Sequence, residues 1–404
     1  MKLKQALILA GGLGKRLGEK SKNCPKPMQL INQEPFLNNI IWNLKRHDIT
    51  DIILSIGYLP ERFKEYYGTG QNFEVKIRFV QEDKPAGTAG AIKLCESFLD
   101  DYFLLMNGDT LFDINFHDLA ITFNNGKIGH LALNFVNDTS RYGEVKLSGK
   151  EIIEFREKSQ NNSGYINSGV AIFHKRLINF ISDQDSSLEK DVYPKMIDKK
   201  LLSAKKYKSF FLDIGIPFTL SKAQSLIPKW RSKSALLLDR DGVINIDFGY
   251  VHSMNNFKWI SGAKETIKLA NDLGILVIVI TNQAGIARGI YSERQFKLFS
   301  KEINNELKDF GAHIDATYFC PHHPTEGINK YKINCKCRKP KNGLIKKAIL
   351  DWKLQKRKCF LIGDKESDII AAKKSGIESQ QFFYKKDNLL EIFKNKLIFL
   401  TDDN

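Results

Sequence analysis

Nowhere does the 404-residue chain hold an apolar run near the ~18–20 residues of a membrane-spanning helix, which excludes a helical membrane protein. Its start, Met1-Lys-Leu-Lys-Gln-Ala-Leu-Ile-Leu-Ala10, is basic, but the apolar run is short and flows into glycines. A buried first strand is expected there, not a signal peptide. There is no massed basic arm and no aromatic–basic RNA motif. The net charge of +16 comes from scattered lysines, so solvated surface explains most of it, with attraction of phosphorylated substrates as a secondary benefit. These absences predict a cytoplasmic protein whose partners are small molecules, with neither nucleic acid nor membrane. Oligomeric state is not legible. Only six cysteines are present. Cys24, Cys95 and Cys359 lie in or near apolar segments and read as ordinary buried thiols.

What is present divides the chain in two. Ala235-Leu-Leu-Leu-Asp-Arg-Asp-Gly-Val-Ile-Asn245 reads as a buried strand with Asp239 and Asp241 at its carboxyl end, where open α/β sheets bind ligands. Two carboxylates at that spacing can share one Mg2+ while one of them attacks phosphorus. Chemistry of this kind usually opens a domain. The expected division is therefore 1–225, a short basic linker 226–234 interrupted by Pro228, and 235–404.

In the first part a predicted strand ending at Ala10 runs into Gly11-Gly-Leu-Gly-Lys-Arg-Leu-Gly18. A glycine-rich turn of this kind lets backbone N–H groups approach phosphate oxygens. It is not a Walker loop, because the Gly-Lys-Ser/Thr ending is missing. Prolines on both sides stiffen the chain at Lys26, a candidate phosphate contact. Gly87-Thr-Ala-Gly90 opens a predicted helix, and the predicted strand Tyr102–Met106 ends in Asn107-Gly-Asp109. Asp109 is placed to hold a metal, with a turn or cap role as the competing reading. Asp213 would supply a second carboxylate.

Taken in order, Leu9-Ala-Gly-Gly-Leu-Gly-Lys-Arg16, Pro25-Lys-Pro27, Gly87-Thr-Ala-Gly90, Asn107-Gly-Asp109, Phe155-Arg-Glu-Lys158, Asn167-Ser-Gly169 and Asp213-Ile-Gly215 resemble the sugar-1-phosphate nucleotidyltransferases, and among them the heptose-1-phosphate guanylyltransferases. The resemblance implies a Rossmann-like mixed sheet and attack of a sugar 1-phosphate on the α-phosphorus of an NTP. It implies a nucleotide site of Leu9, Ala10, Gly11, Gly12, Gly14, Arg16, Lys26, Gln81, Gly87, Thr88 and Asp109. Arg16 and Lys26 would act in catalysis, and Gly143, Glu157, Lys158 and Asn167 would face the sugar phosphate. Mg2+ would sit on Asp109 and Asp213. The base is expected to be guanine.

The second part alternates predicted strands and helices, which suggests a doubly wound parallel sheet. Ile275–Gln283 ends in Thr281, Asn282 and Gln283, and Lys358–Ile362 leads into Gly363-Asp-Lys-Glu-Ser-Asp368. Between them Cys320-Pro-His-His-Pro324 and Cys335-Lys-Cys-Arg-Lys-Pro340 form two metal-binding pairs. Cys320, His322, Cys335 and Cys337 make a closed structural zinc site, with His323 as the alternative imidazole. The loop would carry Arg338 and Lys339 towards the substrate.

These residues resemble the haloacid-dehalogenase phosphatases, and the zinc loop narrows the likeness to heptose 1,7-bisphosphate 7-phosphatases. The resemblance implies Asp239 as nucleophile, Asp241 as acid and base, and Thr281 and Lys339 on the transferring phosphate. It also implies Asn282, Gln283 and Arg338 as substrate contacts, with Mg2+ held by Asp239, Asp364 and Asp241 through its backbone carbonyl. Asp368 would be a supporting group. Together the halves imply successive steps towards a GDP-heptose. The rivals are another sugar such as mannose 1-phosphate, a histidinol-phosphate-type phosphatase, or a nucleotide-sugar sensor. The role of the tail after Gln381 is left open.

Overall fold

A computed structural model describes residues 3–156, 163–182 and 185–401. The chain forms two compact units, Met1–Ile227 and Pro228–Asn404. Among the described residues no helix is long and apolar enough to cross a membrane.

The first unit is built on a nine-stranded mixed sheet. Four parallel strands lie in the order Lys76–Gln81, Asp51–Ile56, Gln5–Leu9, Tyr102–Asn107. The chain moves outward from Gln5–Leu9, then returns to its other side with Tyr102–Asn107. The carboxyl ends of those two neighbours therefore face a switch in strand order, where ligands bind. Antiparallel Gly164–His174 continues the sheet, followed by Gly129–Val136, Leu202–Tyr207, Glu151–Arg156 and Glu144–Ser148. A short strand pair, Thr110–Phe112 with Phe211–Asp213, sets Asp213 opposite Thr110. That register delivers Asp213 beside Asp109.

The expected linker is helical as far as Arg231, because one helix runs from Pro217 to Arg231 with Pro228 inside it. An interior proline removes one helical N–H and leaves the carbonyl four residues earlier without its donor. Asn32 supplies the missing partner, its Nδ2 donating to the Gln224 carbonyl at 3.1 Å. A proline read as a breaker is tolerated because a distant side chain replaces the bond.

The second unit holds a five-stranded, wholly parallel sheet ordered Ala316–Cys320, Leu276–Asn282, Ala235–Leu238, Cys359–Gly363, Glu378–Gln381. Ala235–Leu238 is central and buried on both faces, so Leu236 and Leu238 pack into one core and Ala235 and Leu237 into the other. That is why it reads as an unbroken apolar run. The helix Glu293–Asp309 begins at a Ser292/Gln295 capping box, Gln295 N donating to Ser292 Oγ at 3.2 Å. It buries Phe296, Phe299, Ile303 and Leu307 along one stripe.

The tail after Gln381 belongs to this core. Phe382, Leu389, Ile392, Phe393 and Leu400 join the cluster that contains Leu236 and Leu238, and Ser234 Oγ donates to the Leu400 carbonyl at 2.6 Å. Phe393 is fully buried, so Phe393→Ala is expected to destabilise the second unit by about 3–5 kcal/mol. Urea unfolding followed in that unit checks this, and a loss below about 1 kcal/mol would make the tail peripheral.

Candidate active sites

A cavity of about 630 Å³ opens at the switch point of the first unit. Leu9, Ala10 and the Gly11–Arg16 turn form one wall, with Lys26, Gly87, Thr88 and Asp109 around it. Gly14 sits at φ +63°, a left-handed conformation that lets the turn fold back before Lys15 and Arg16. Arg16 is exposed at the mouth, whereas Lys26 is buried with its ammonium bound to Asp109. A Cβ placed on Gly215 would lie 2.6 Å from Asp213 Oδ1 and 3.1 Å from Lys26 Nζ. Lys26 thus pairs with Asp109, and both Lys26 and Asp213 close on the same glycine. Thr110 Oγ1 donates to Asp109 at 3.1 Å and Arg141 Nη2 to Asp213 at 3.0 Å.

Two expectations are refined here. Gln81 ends its strand facing away from the cavity, its Oε1 accepting from Lys64 Nζ at 3.0 Å. Glu82 lines the cavity instead. Adjacent residues at a strand end point to opposite sides, so a slip of one position exchanges inside for outside. The Glu82 carboxylate accepts from Ser55 Oγ at 3.0 Å and from the Ala86 N–H at 3.3 Å, and it closely approaches Gly11, where a Cβ would collide with it. Thr88 lines the cavity, but its hydroxyl accepts from the Leu188 N–H at 2.8 Å, holding a neighbouring segment. Gly87, at φ +72°, has no room for a Cβ against Asp185 and Ser186.

Away from that wall, Gly143 takes φ +80°, where a Cβ would come 2.8 Å from the Arg156 carbonyl. Asn167 Oδ1 accepts from the Gly169 N–H at 3.1 Å. Glu157 and Lys158 lie outside the described residues. Arg141 and Glu82 were not named from the sequence, although they flank Gly143 and the Pro85–Gly90 stretch, a signal that could have found them.

In the second unit a cavity of about 520 Å³ opens at the carboxyl ends of the central strands. Asp239, Asp241, Thr281, Asn282, Gln283, Arg338 and Lys339 all line it. Lys339 is buried, its Nζ 3.0 Å from Asp239 Oδ1 and 2.5 Å from Asp368 Oδ1, and it donates to the Ile280 carbonyl at 2.7 Å. Burial alone would lower its pKa, but the two carboxylates outweigh burial and hold it above the usual lysine value. Burial raises the pKa of Asp239, with Lys339 opposing and Asp368 reinforcing that rise. Asp364 is pushed up to about 7, by burial first and by Asp239 next.

Carboxylate oxygens of Asp239, Asp364 and Asp368 lie within 4.8 Å of one another. Asp364 Oδ1 is buried and, among the described residues, has no hydrogen-bond partner. The backbone at Gly242 packs so closely on Asp364 that no Cβ fits between them. An orphaned carboxylate oxygen beside two more carboxylates is a donor set suited to a hard divalent cation. The side chain of Asp241 is held by several donors. Its carboxylate accepts from Arg240 Nη2 at 2.8 and 2.9 Å, Asn245 Nδ2 at 3.0 Å and Gln283 Nε2 at 3.1 Å. These donors hold the carboxylate in one orientation, and the residue's backbone carbonyl is the atom that the resemblance implies for a metal.

Asn282 also departs from expectation. Its Nδ2 donates to the Lys339 carbonyl and its Oδ1 accepts from the Lys339 N–H, both at 3.1 Å. It orients the loop that carries the lysine. Arg338 Nη1 donates to the His322 carbonyl at 3.2 Å and stays on the cavity wall. Tyr250, Asp247 and Lys365 share that wall without having been anticipated.

Beside this cavity the sulfurs of Cys320, Cys335 and Cys337 lie 3.1, 3.2 and 3.5 Å apart. His322 Nδ1 is 3.4 Å from Cys337 Sγ and 3.8 Å from Cys320 Sγ. Four thiolate or imidazole ligands around zinc are separated by about 3.5–3.8 Å, so the group is set for a tetrahedral metal. His323 turns away, its Nδ1 accepting from the Glu326 N–H at 3.0 Å.

Comparison with known proteins follows this division. The nucleotidyl transferase family model matches residues 5–229, and a haloacid-dehalogenase hydrolase-like model matches residues 336–381. The D-glycero-α-D-manno-heptose 1-phosphate guanylyltransferase of Campylobacter jejuni is 37% identical over 53% of this chain and 95% of that protein. A D-glycero-β-D-manno-heptose-1,7-bisphosphate 7-phosphatase of Haemophilus ducreyi is 42% identical over 37% of this chain and 81% of that protein. The corresponding α-heptose phosphatase of Burkholderia mallei is 48% identical over 35% of this chain and 76% of that protein. The crystal structure of HddC from Yersinia pseudotuberculosis complexed with GMP-PN superposes with a TM-score of 0.51 at 30% identity, covering 55% of this chain and 99% of that one. The chain therefore belongs to the nucleotidyl transferase family through its first unit and to the haloacid-dehalogenase-like heptose-bisphosphate phosphatases through its second.

Proposed function

We propose that this bifunctional enzyme performs two consecutive steps of GDP-heptose synthesis in the cytoplasm, where nucleoside triphosphate is supplied. The second unit removes the 7-phosphate of D-glycero-α-D-manno-heptose 1,7-bisphosphate. The first unit joins the resulting heptose 1-phosphate to GMP from GTP and releases pyrophosphate. One observation supports this reading: one chain is similar to a heptose-1,7-bisphosphate 7-phosphatase in one unit and to a heptose 1-phosphate guanylyltransferase in the other, and loss of the 7-phosphate from the bisphosphate of the first leaves the sugar 1-phosphate of the second. Phosphatase relatives are named for both anomers. Cleavage at C7 leaves C1 untouched, so an α-specific transferase requires an α-bisphosphate upstream.

In the phosphatase unit Asp239 attacks the 7-phosphorus, and Thr281 and Lys339 neutralise the oxygens of the phosphoryl group. Asp241 protonates the leaving alcohol and then takes the proton of the attacking water. Asp239, Asp364 and the Asp241 carbonyl would hold Mg2+, which supplies charge neutralisation at the phosphate. In the transferase unit Arg16 and Lys26 bring two anions together, which is mainly positioning and charge neutralisation. Asp109 and Asp213 would hold its Mg2+.

Glu82 supports guanine. A carboxylate offers two acceptors, which match the N1–H and N2–H donors of guanine and oppose the carbonyls flanking N3–H in uracil or thymine. Glu82→Gln is expected to lower kcat/KM for GTP about tenfold or more relative to UTP. An unchanged GTP/UTP ratio would place base selection elsewhere.

The pathway itself is tested with the bisphosphate, Mg2+ and each NTP separately. Phosphate should appear in every tube and pyrophosphate with GTP alone, while Asp239→Asn abolishes both and Asp109→Asn only pyrophosphate. Phosphate without pyrophosphate under any NTP would defeat the coupled reading. The sulfur–imidazole cluster is assigned to structural zinc. Elemental analysis of purified protein should find one zinc per chain, lost with a falling Tm in Cys335→Ser. Zinc retained by that variant would refute the assignment.

A further inference from the structure

Gln283 stands at the centre of a buried hydrogen-bond chain that the reaction as described leaves unused. Its Nε2 donates to Asp241 Oδ2 at 3.1 Å and to Thr281 Oγ1 at 2.8 Å. Its Oε1 accepts from the Tyr291 hydroxyl at 2.6 Å. Gln283 and Tyr291 are 1% and 4% exposed, too buried for water to replace either partner freely. We infer that Gln283, oriented by Tyr291, is a positioning residue that holds Asp241 ready to take the proton of water and aims the Thr281 hydroxyl at the phosphoryl group. This rests on the phosphatase reading above and assigns the pair a task within it.

The orientation follows from donor and acceptor inventory. An ionised carboxylate only accepts, so Asp241 requires the amide's nitrogen, not its oxygen. The Tyr291 hydroxyl occupies the oxygen and removes the incentive for the amide to flip. The two amide hydrogens then divide between Asp241 and Thr281. Because Thr281 Oγ1 accepts one of them, its own hydrogen is left to donate to a phosphate oxygen.

Arg240 and Asn245 grip Asp241 from its own turn, and Arg240 is packed over the rings of Phe296 and Phe299 at 5.4 and 5.3 Å. Gln283 is the contact from the neighbouring strand. It therefore ties the Asp241 turn to the strand end that binds phosphate. The Tyr291 ring stacks on His252 with centroids 4.8 Å apart, so its hydroxyl is delivered from a fixed position.

Held this way, Asp241 is poised for hydrolysis of the phosphoenzyme. Water oxygen bonds to phosphorus, the phosphorus–oxygen bond to Asp239 breaks, its electron pair returns to the Asp239 carboxylate, and the water proton passes to Asp241. Inorganic phosphate leaves.

The full chain is assayed with p-nitrophenyl phosphate in a rapid-mixing instrument. Nitrophenolate leaves without a proton, so the first burst reports attack by Asp239 while the steady rate reports hydrolysis through Asp241. In Tyr291→Phe, which keeps the ring, the ratio of burst rate to steady rate is expected to rise about tenfold, a fraction of a full general-base contribution. Gln283→Ala should raise it further. A ratio unchanged in both variants, whether both rates fall together or neither falls, overturns the inference. If the wild-type protein releases no nitrophenolate, or Asp239→Asn still does, the phosphatase reading itself fails.

Discussion

Lys339 reaches its place between Asp239 and Asp368 from outside the parallel sheet, on the loop that the cysteines and His322 gather. The carboxylates of Asp239, Asp364 and Asp368, two of them buried and one half-buried, repel one another, and burial makes each more costly to ionise. The ammonium offsets that cost, and its own burial is tolerable only because both carboxylates surround it. The lysine's backbone is clamped by Asn282, so sheet and loop hold a single charge in register. Site, loop and sulfur–imidazole cluster therefore depend on one another.

The first unit meets the same constraint with different parts. Asp109 and Asp213 come from strands that pair through Thr110, and Lys26 supplies the cation from a proline-stiffened segment. In both units carboxylates gather at the carboxyl end of a strand near a change in sheet order, where parallel topology leaves a crevice. A polyanionic substrate would otherwise face an acidic site. The balancing lysines make phosphate binding and metal binding compatible at one place.

Much of this was legible residue by residue. The predicted strand Tyr102–Met106 is present as Tyr102–Asn107, because an apolar run bounded by polar residues is a local signal. Asp239, Thr281 and Lys339 converge as their motifs imply. The positions that local pattern left open or placed one residue off were those decided by the surrounding fold. Pro228 stays helical because Asn32 serves the freed carbonyl, Gln81 yields to Glu82 through strand alternation, and the tail enters the core because the second sheet leaves a face for Phe393 and Leu400.

By itself the sequence determined the two α/β units, the carboxylates near strand ends and the three clustered cysteines with a neighbouring His-His pair, since each is encoded by short-range pattern or spacing. Tertiary structure alone decided what those side chains do with one another. It turned the Asp241 carboxylate towards Arg240 and Gln283 and left Asp364 Oδ1 unpaired among the described residues. It also chose His322 over His323 for the cluster. The physical reason is that hydrogen-bond direction and charge separation depend on distances between residues remote in sequence, which no local pattern carries.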